Sequence, residues 1–162
     1  MSAVPDILMS YPAALDELIA FFESLPEGER RENLIDFAAA AVTHAPREGE
    51  NFDFEDVRKD AECTDTVGVH VRVGDRGHIH FAISLGTKVQ TLTKAMTTIL
   101  CRGLNGCTLQ QVIEVSQDFV PRIVGAELVR LRSRTVYYVL NRMKEAAQVL
   151  ATRREDQESR TV

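Results

Sequence analysis

The sequence has no tryptophan, only three cysteines, and no surplus of positive charge. The cysteines, Cys63, Cys101 and Cys107, are odd in number and show no C-x-x-C or C-x-x-H spacing, which excludes a disulfide framework and a structural zinc site. The net charge of −5 excludes a general nucleic-acid or membrane-surface binder, because both need a basic field. No apolar run approaches the ~18 residues of a membrane span. The opening "MSAVPDILMSYP" lacks the basic start of a signal peptide, so a cytoplasmic location is expected. G-x-G-x-x-G, Walker-type, G-x-S-x-G and H-E-x-x-H motifs are all missing, which leaves phosphate cradling and the familiar hydrolases without motif support. A dispersed Ser-His-Asp set stays open, with nothing pointing to one.

What is present is an ordinary globular balance, 44% apolar and 27% charged over 162 residues, enough for one domain with its own core. The pattern divides into a loosely structured N-terminus over 1–13, a single domain over 14–151, and a charged, frayed tail over 152–162. In "ALDELIAFFESL", Leu15, Leu18, Ile19 and Phe22 recur at helical spacing. Pro26 interrupts that pattern. "EGERRENLIDFAAAAVTHA" then reads as a second helix with Leu34, Ile35, Phe37 and Ala38 facing inward, closed by Pro46. Residues 47–62 are crowded with charge and read as a long solvated loop.

Two alternating segments follow, Val67, Val69, Val71 and Val73, then Ile79, Phe81 and Ile83, separated by "GDRGH". Pairing Val73 with Ile79 and Val71 with Phe81 keeps one face wholly apolar. That register requires a three-residue loop, Asp75-Arg76-Gly77, with Gly77 left-handed. His70, His78 and His80 then share the polar face, which reads as a solvated sheet surface; a metal there would need ligands converging from elsewhere. Helices are expected over 87–101, burying Val89, Leu92, Met96 and Ile99, and after a Thr108–Gln111 capping box. A short helix or turn surrounds Pro121, and a long final helix carries Val136, Val139, Leu140 and Met143. Helices on both sides of a hairpin predict an α+β fold, a small antiparallel sheet packed against several helices.

Among the thiols, Cys63 stands apart by position. It lies at a junction between loop and strand, where a side chain can be presented at a tip. Glu62 and Asp65 beside it work against a thiolate, and Arg58 and Lys59 partly offset them. Cys101 falls on a helix stripe and Cys107 before a helix cap, both consistent with burial.

The chain order as a whole resembles the SufE family, over about residues 18–147. The resemblance rests on "GERRENLIDFAAAAVTHAP" before the loop, "ECTDTVGVHV" at the cysteine, "GHIHFAIS" in the second strand, "SLGTKVQTL" entering the helix, "TLQQV" at the cap, and "LVRLRSRTV", which places the family's arginine on Arg132. The chain departs from the family at Glu62, where a glycine is usual, at "TDTVG", where S-x-V-W is usual, and at Arg130 and Thr135 in place of proline and glycine. The resemblance implies a SufE/NifU-like fold and a sulfur acceptor. Cys63 would take persulfide sulfur from a cysteine desulfurase, a separate pyridoxal-phosphate enzyme. It would stimulate that enzyme and pass sulfur to an iron–sulfur scaffold. It further implies partner binding through Arg132, Thr64 and Asp65, no cofactor held by the chain itself, no metal ligands, and no nucleic-acid or membrane partner. A module of the same fold that regulates a desulfurase or scaffold without carrying sulfur is the alternative.

Overall fold

The computed structural model describes residues 11–161. Helix α1 spans Ala13–Glu23 and buries Leu15, Ile19 and Phe22, the stripe read from the sequence. Pro26 caps α2, Glu27–Ala39, whose first turn carries Glu27 and Glu29 where the helix dipole favours negative charge. Leu34 and Ala38 of α2 are buried and Phe37 packs against the core. Ile35, expected on the inner face, is 55% exposed, because the stripe turns past it towards Ala38 and Ala41. A 3-10 turn over Ala40–His44 ends the segment ahead of Pro46.

The segment 47–62 is a loop only in part. Phe54–Arg58 forms strand β1, which pairs antiparallel with β2, Val67–Val73. Its charge concealed it. An edge strand covered on one side only carries few apolar residues, and charges on an edge discourage pairing with other chains. Strand β3, Ile79–Leu85, completes a sheet of order β1-β2-β3. Val73 pairs with Ile79 and Val71 with Phe81, as the apolar alternation requires. Gly77 adopts φ +79° in the hairpin loop, a conformation costly for residues with a Cβ. The outer edge of β3 is covered by 105–107: Ile79 N donates to Cys107 O at 2.7 Å, and Phe81 N to Asn105 Oδ1 at 2.7 Å.

Helix α3, Thr91–Leu104, is buried on nearly every side and forms the centre of the core. Its threonines, weak helix formers, are accommodated by internal hydrogen bonds: Thr97 Oγ1 donates to Thr93 O and Thr98 Oγ1 to Phe37 O. Helix α4, Leu109–Glu114, starts at the Thr108 capping box with both reciprocal bonds formed. Short helices α5 (Val120–Val124), α6 (Ala126–Leu131) and α7 (Ser133–Val136) lead into α8, Tyr138–Thr161. The charged segment 152–161, expected to fray, continues α8 as exposed helix. The remaining expectation there, on the N-terminus, falls chiefly on 1–10, outside the described residues.

The inner face of the sheet, Val67, Val69, Val71, Ile79, Phe81 and Ile83, packs on the helices as one core. The outer face is not simply solvated. His70 is 6% exposed and hydrogen-bonded at both ring nitrogens. Segment 50–52 folds over this face, setting Glu50 on Arg72 and Phe52 against the His70 ring. No group of three or more His, Cys, Asp or Glu among the described residues is arranged to hold a metal ion. No helix among them is long and apolar enough to cross a membrane.

Candidate functional site

Loop 59–66 joins β1 to β2 and carries Cys63. Its neighbours Ala61, Glu62 and Thr64 are exposed, yet the Cys63 side chain turns inward and joins the apolar core at 7% exposure. The resting thiol is thus a buried one on a surface loop. Cys63 N donates to Asp60 O at 3.1 Å, closing a turn at the tip.

The two stems of the loop are held differently. On the C-terminal side, Thr64 Oγ1 donates to Lys88 O at 2.6 Å. The Asp65 carboxylate accepts from Thr66 N at 2.7 Å and Lys88 N at 2.9 Å, and the N–H groups of Lys88 and Thr66 hold its carboxyl below the usual range. Gly86 makes this seat possible. A Cβ at residue 86 would overlap the Asp65 carboxylate, with Oδ1 at 2.6 Å and the other carboxyl atoms nearer. Thr64 and Asp65 therefore anchor the loop to the segment after β3.

On the N-terminal side stands a network that sequence reasoning missed. Arg142 of α8 is 2% exposed. Its guanidinium donates to Asp56 O at 2.6 Å, to Val67 O at 3.0 Å and to the Tyr138 hydroxyl. Tyr138 in turn donates to Asp60 Oδ2 at 2.8 Å. Arg58 reaches Asp60, Asp56 and Glu145. Bonding to Arg58, then to Tyr138, holds the Asp60 carboxyl low. Burial, reinforced by Asp60, pushes the Tyr138 hydroxyl up to about 12. Asp56 and Val67 flank the mouth of the loop, so one buried guanidinium spans the point where the β1–β2 ladder opens. The signal in the sequence is Arg142 itself, a charge three residues after Val139 and four before Ala146 on the apolar stripe of the last helix.

A polar cleft of about 230 Å³ lies outside this network, lined among others by Arg58, Asp60, Glu62, Arg134 and Arg142. Arg132 is not among its lining residues. It sits exposed at the α6–α7 junction with φ −132°, and donates to Leu131 O at 3.4 Å. Cys63, Thr64 and Asp65 thus share one anchored loop, and the arginines at that loop's cleft are Arg58, Arg134 and Arg142.

The other thiols are occupied structurally. Cys101 is fully buried in α3, and burial pushes its thiol up to about 12. Cys107 is pinned to the β3 edge through its carbonyl, and burial raises its thiol as well.

Against known proteins, residues 16–147 match the family model described as "SufE: Fe-S metabolism associated domain". No curated protein matches the chain. Among solved structures, a hypothetical protein from Thermus thermophilus, determined in solution, is similar with a TM-score of 0.70. The two are 24% identical, and the match covers 88% of this chain and 99% of that one, a likeness of fold.

Proposed function

The chain belongs to the SufE family, associated with iron–sulfur metabolism, and from that premise we propose that it is a sulfur acceptor whose carrier is Cys63. The observation that carries this reading is a thiol tethered at the tip of an exposed loop, while the two other cysteines are built into helix α3 and the edge of the sheet. Among the described residues, the Cys63–Asp60 turn, the Thr64–Lys88 bond and the packing of the Cys63 side chain against the core hold the tip itself. Turning residues 61–65 outward, with Thr64 and Asp65 released from their seat on Gly86 and Lys88, would expose the thiol and leave the Asp60 anchor in place.

In the reaction, a cysteine desulfurase holds sulfur as a cysteine persulfide. The Cys63 thiolate attacks the terminal sulfur, the sulfur–sulfur bond of the donor breaks, and the donor leaves as a thiolate. The new persulfide on Cys63 is then open to the same attack by a thiol of an iron–sulfur scaffold. Thr64 and Asp65 set the path along which the loop opens. Arg132, exposed on the surface, contributes to desulfurase docking. The pyridoxal phosphate of this chemistry belongs to the desulfurase.

Mass spectrometry after incubation with a desulfurase and cysteine tests the reading, with a gain of one sulfur atom expected on the peptide holding Cys63. Cys63→Ser separates this reading from the regulatory module. Lost stimulation of the desulfurase with binding retained supports sulfur transfer, and unchanged stimulation refutes it.

A further inference from the structure

The outer face of the sheet brings together three residues that sulfur transfer does not use. Glu55 of β1 stands directly opposite His70 of β2, and Ser84 of β3 directly opposite Gly68, which sets Ser84 diagonal to His70. Glu55 Oε2 lies 2.6 Å from His70 Nδ1, and His70 Nε2 lies 3.0 Å from Ser84 Oγ. An ionised carboxylate at Nδ1 keeps the ring proton on that nitrogen. The Nε2 lone pair is then left to accept the serine O–H, the order of contacts that a nucleophilic serine requires.

Two further features make this more than a chance polar contact. Phe52 lies against the imidazole, with ring centroids 5.3 Å apart, so the buried ring is held in one orientation. Gly68 leaves the space that the group needs. A Cβ there would stand 2.9 Å from His70 Nε2 and 2.9 Å from Val57 Cγ2, and closer still to Ser84 Oγ. The Ser84 hydroxyl, the imidazole and a Val57 methyl group therefore close over the bare backbone of Gly68. Ser84 is half-buried beside the exposed Val57, so its hydroxyl lies near the surface.

From this geometry we propose that Ser84 is an activated nucleophile that accepts acyl groups from uncharged esters, with His70 as its general base and Glu55 as a positioning residue. Ser84 Oγ bonds to the acyl carbon while its proton passes to His70 Nε2. The ester C–O bond breaks, and the leaving alkoxide takes that proton from His70. Water, activated in the same way, then releases the acid and restores Ser84. The neighbouring carboxylate of Glu55 selects against anionic esters.

The test uses the full chain and a fluorophosphonate probe, which phosphonylates activated serines with loss of fluoride, followed by peptide mapping. A single adduct on Ser84 is expected, absent in Ser84→Ala. Removal of a general base should slow labelling by about 10²-fold or more in His70→Gln. Glu55→Gln should slow it too, and should abolish the NMR signature of a proton held on His70 Nδ1, with Glu55→Asp restoring both in part. No adduct on Ser84, or labelling indifferent to both His70→Gln and Glu55→Gln, would overturn the proposal. Glu55 is exposed, so its variant keeps the test decisive even if His70→Gln does not fold.

Discussion

Replacing Arg142 with methionine keeps a long side chain on α8 but removes the donors that bridge the mouth of the Cys63 loop. Two backbone acceptors lose their partner, Asp56 O at 2.6 Å and Val67 O at 3.0 Å, together with the Tyr138 hydroxyl. Each buried acceptor left unsatisfied costs ~1–3 kcal/mol, or ~2–6 kcal/mol for the two carbonyls. Breaking one side of a buried ionic cluster costs ~3–5 kcal/mol by a separate reckoning, so ~4 kcal/mol is the expected loss. Arg142 Nε has no hydrogen-bond partner among the described residues, so substitution returns part of the burial penalty and holds the loss below the upper end of that range. In a domain of this size ~1 kcal/mol moves the melting temperature by ~2–4 °C, so a fall of ~8–16 °C follows. Urea unfolding followed by helical circular dichroism measures it, with an unchanged slope expected. Arg142→Lys should recover only a minor part, because one ammonium cannot span both carbonyls and the hydroxyl. A loss below ~1 kcal/mol for Arg142→Met, the range of ordinary surface changes, would refute the assignment of Arg142 as the clamp.

Gly86→Ala drives a Cβ into the Asp65 carboxylate. If loop opening relieves that ~1–3 kcal/mol of overpacking, alkylation of Cys63 should accelerate by ~5- to 150-fold with Cys101 still protected, read by peptide-resolved mass spectrometry. An unchanged Cys63 rate would show that Asp65 does not latch the loop. Gly68→Ala should destabilise by ~1–3 kcal/mol through overpacking between Ser84, His70 and Val57, and should abolish fluorophosphonate labelling of Ser84; urea midpoints and the labelling assay check the two effects. His44 and His80 both titrate below the ordinary histidine value of 6.5, through burial first and then arginines, Arg102 for His44 and Arg72 for His80. The unfolded chain thus binds more protons than the folded one below about pH 6.5, so stability present above that pH falls on acidification. Urea midpoints should drop between pH 7 and 5, and His44→Gln with His80→Gln should flatten the fall.

The hairpin was legible because its physics is local. Alternation of period two set the register of Val71 with Phe81, and Gly77 supplied the turn. The helices were legible by apolar spacing and by the Thr108–Gln111 cap. Strand β1 was not, since its pairing energy comes from the backbone of β2 and its side chains carry the charges of an edge. Ile35 misled for a related reason: adjacent Leu34 and Ile35 do not show which of the two the neighbouring chain will cover.

By itself the sequence determined the α+β fold, the family, and the cysteine that stands at the end of a loop. These depend on residue order and short-range periodicity, which are written along the chain. Only the tertiary structure decided that Cys63 rests inward, because burial depends on how the loop is pinned to Gly86 and Lys88. It alone brought Arg142 to Asp56 and Val67, residues 86 and 75 positions away. It alone aligned Glu55, His70 and Ser84 across three strands. Hydrogen bonds reach about 3 Å through space whatever their separation in sequence, so sites built from them appear only once the chain has folded.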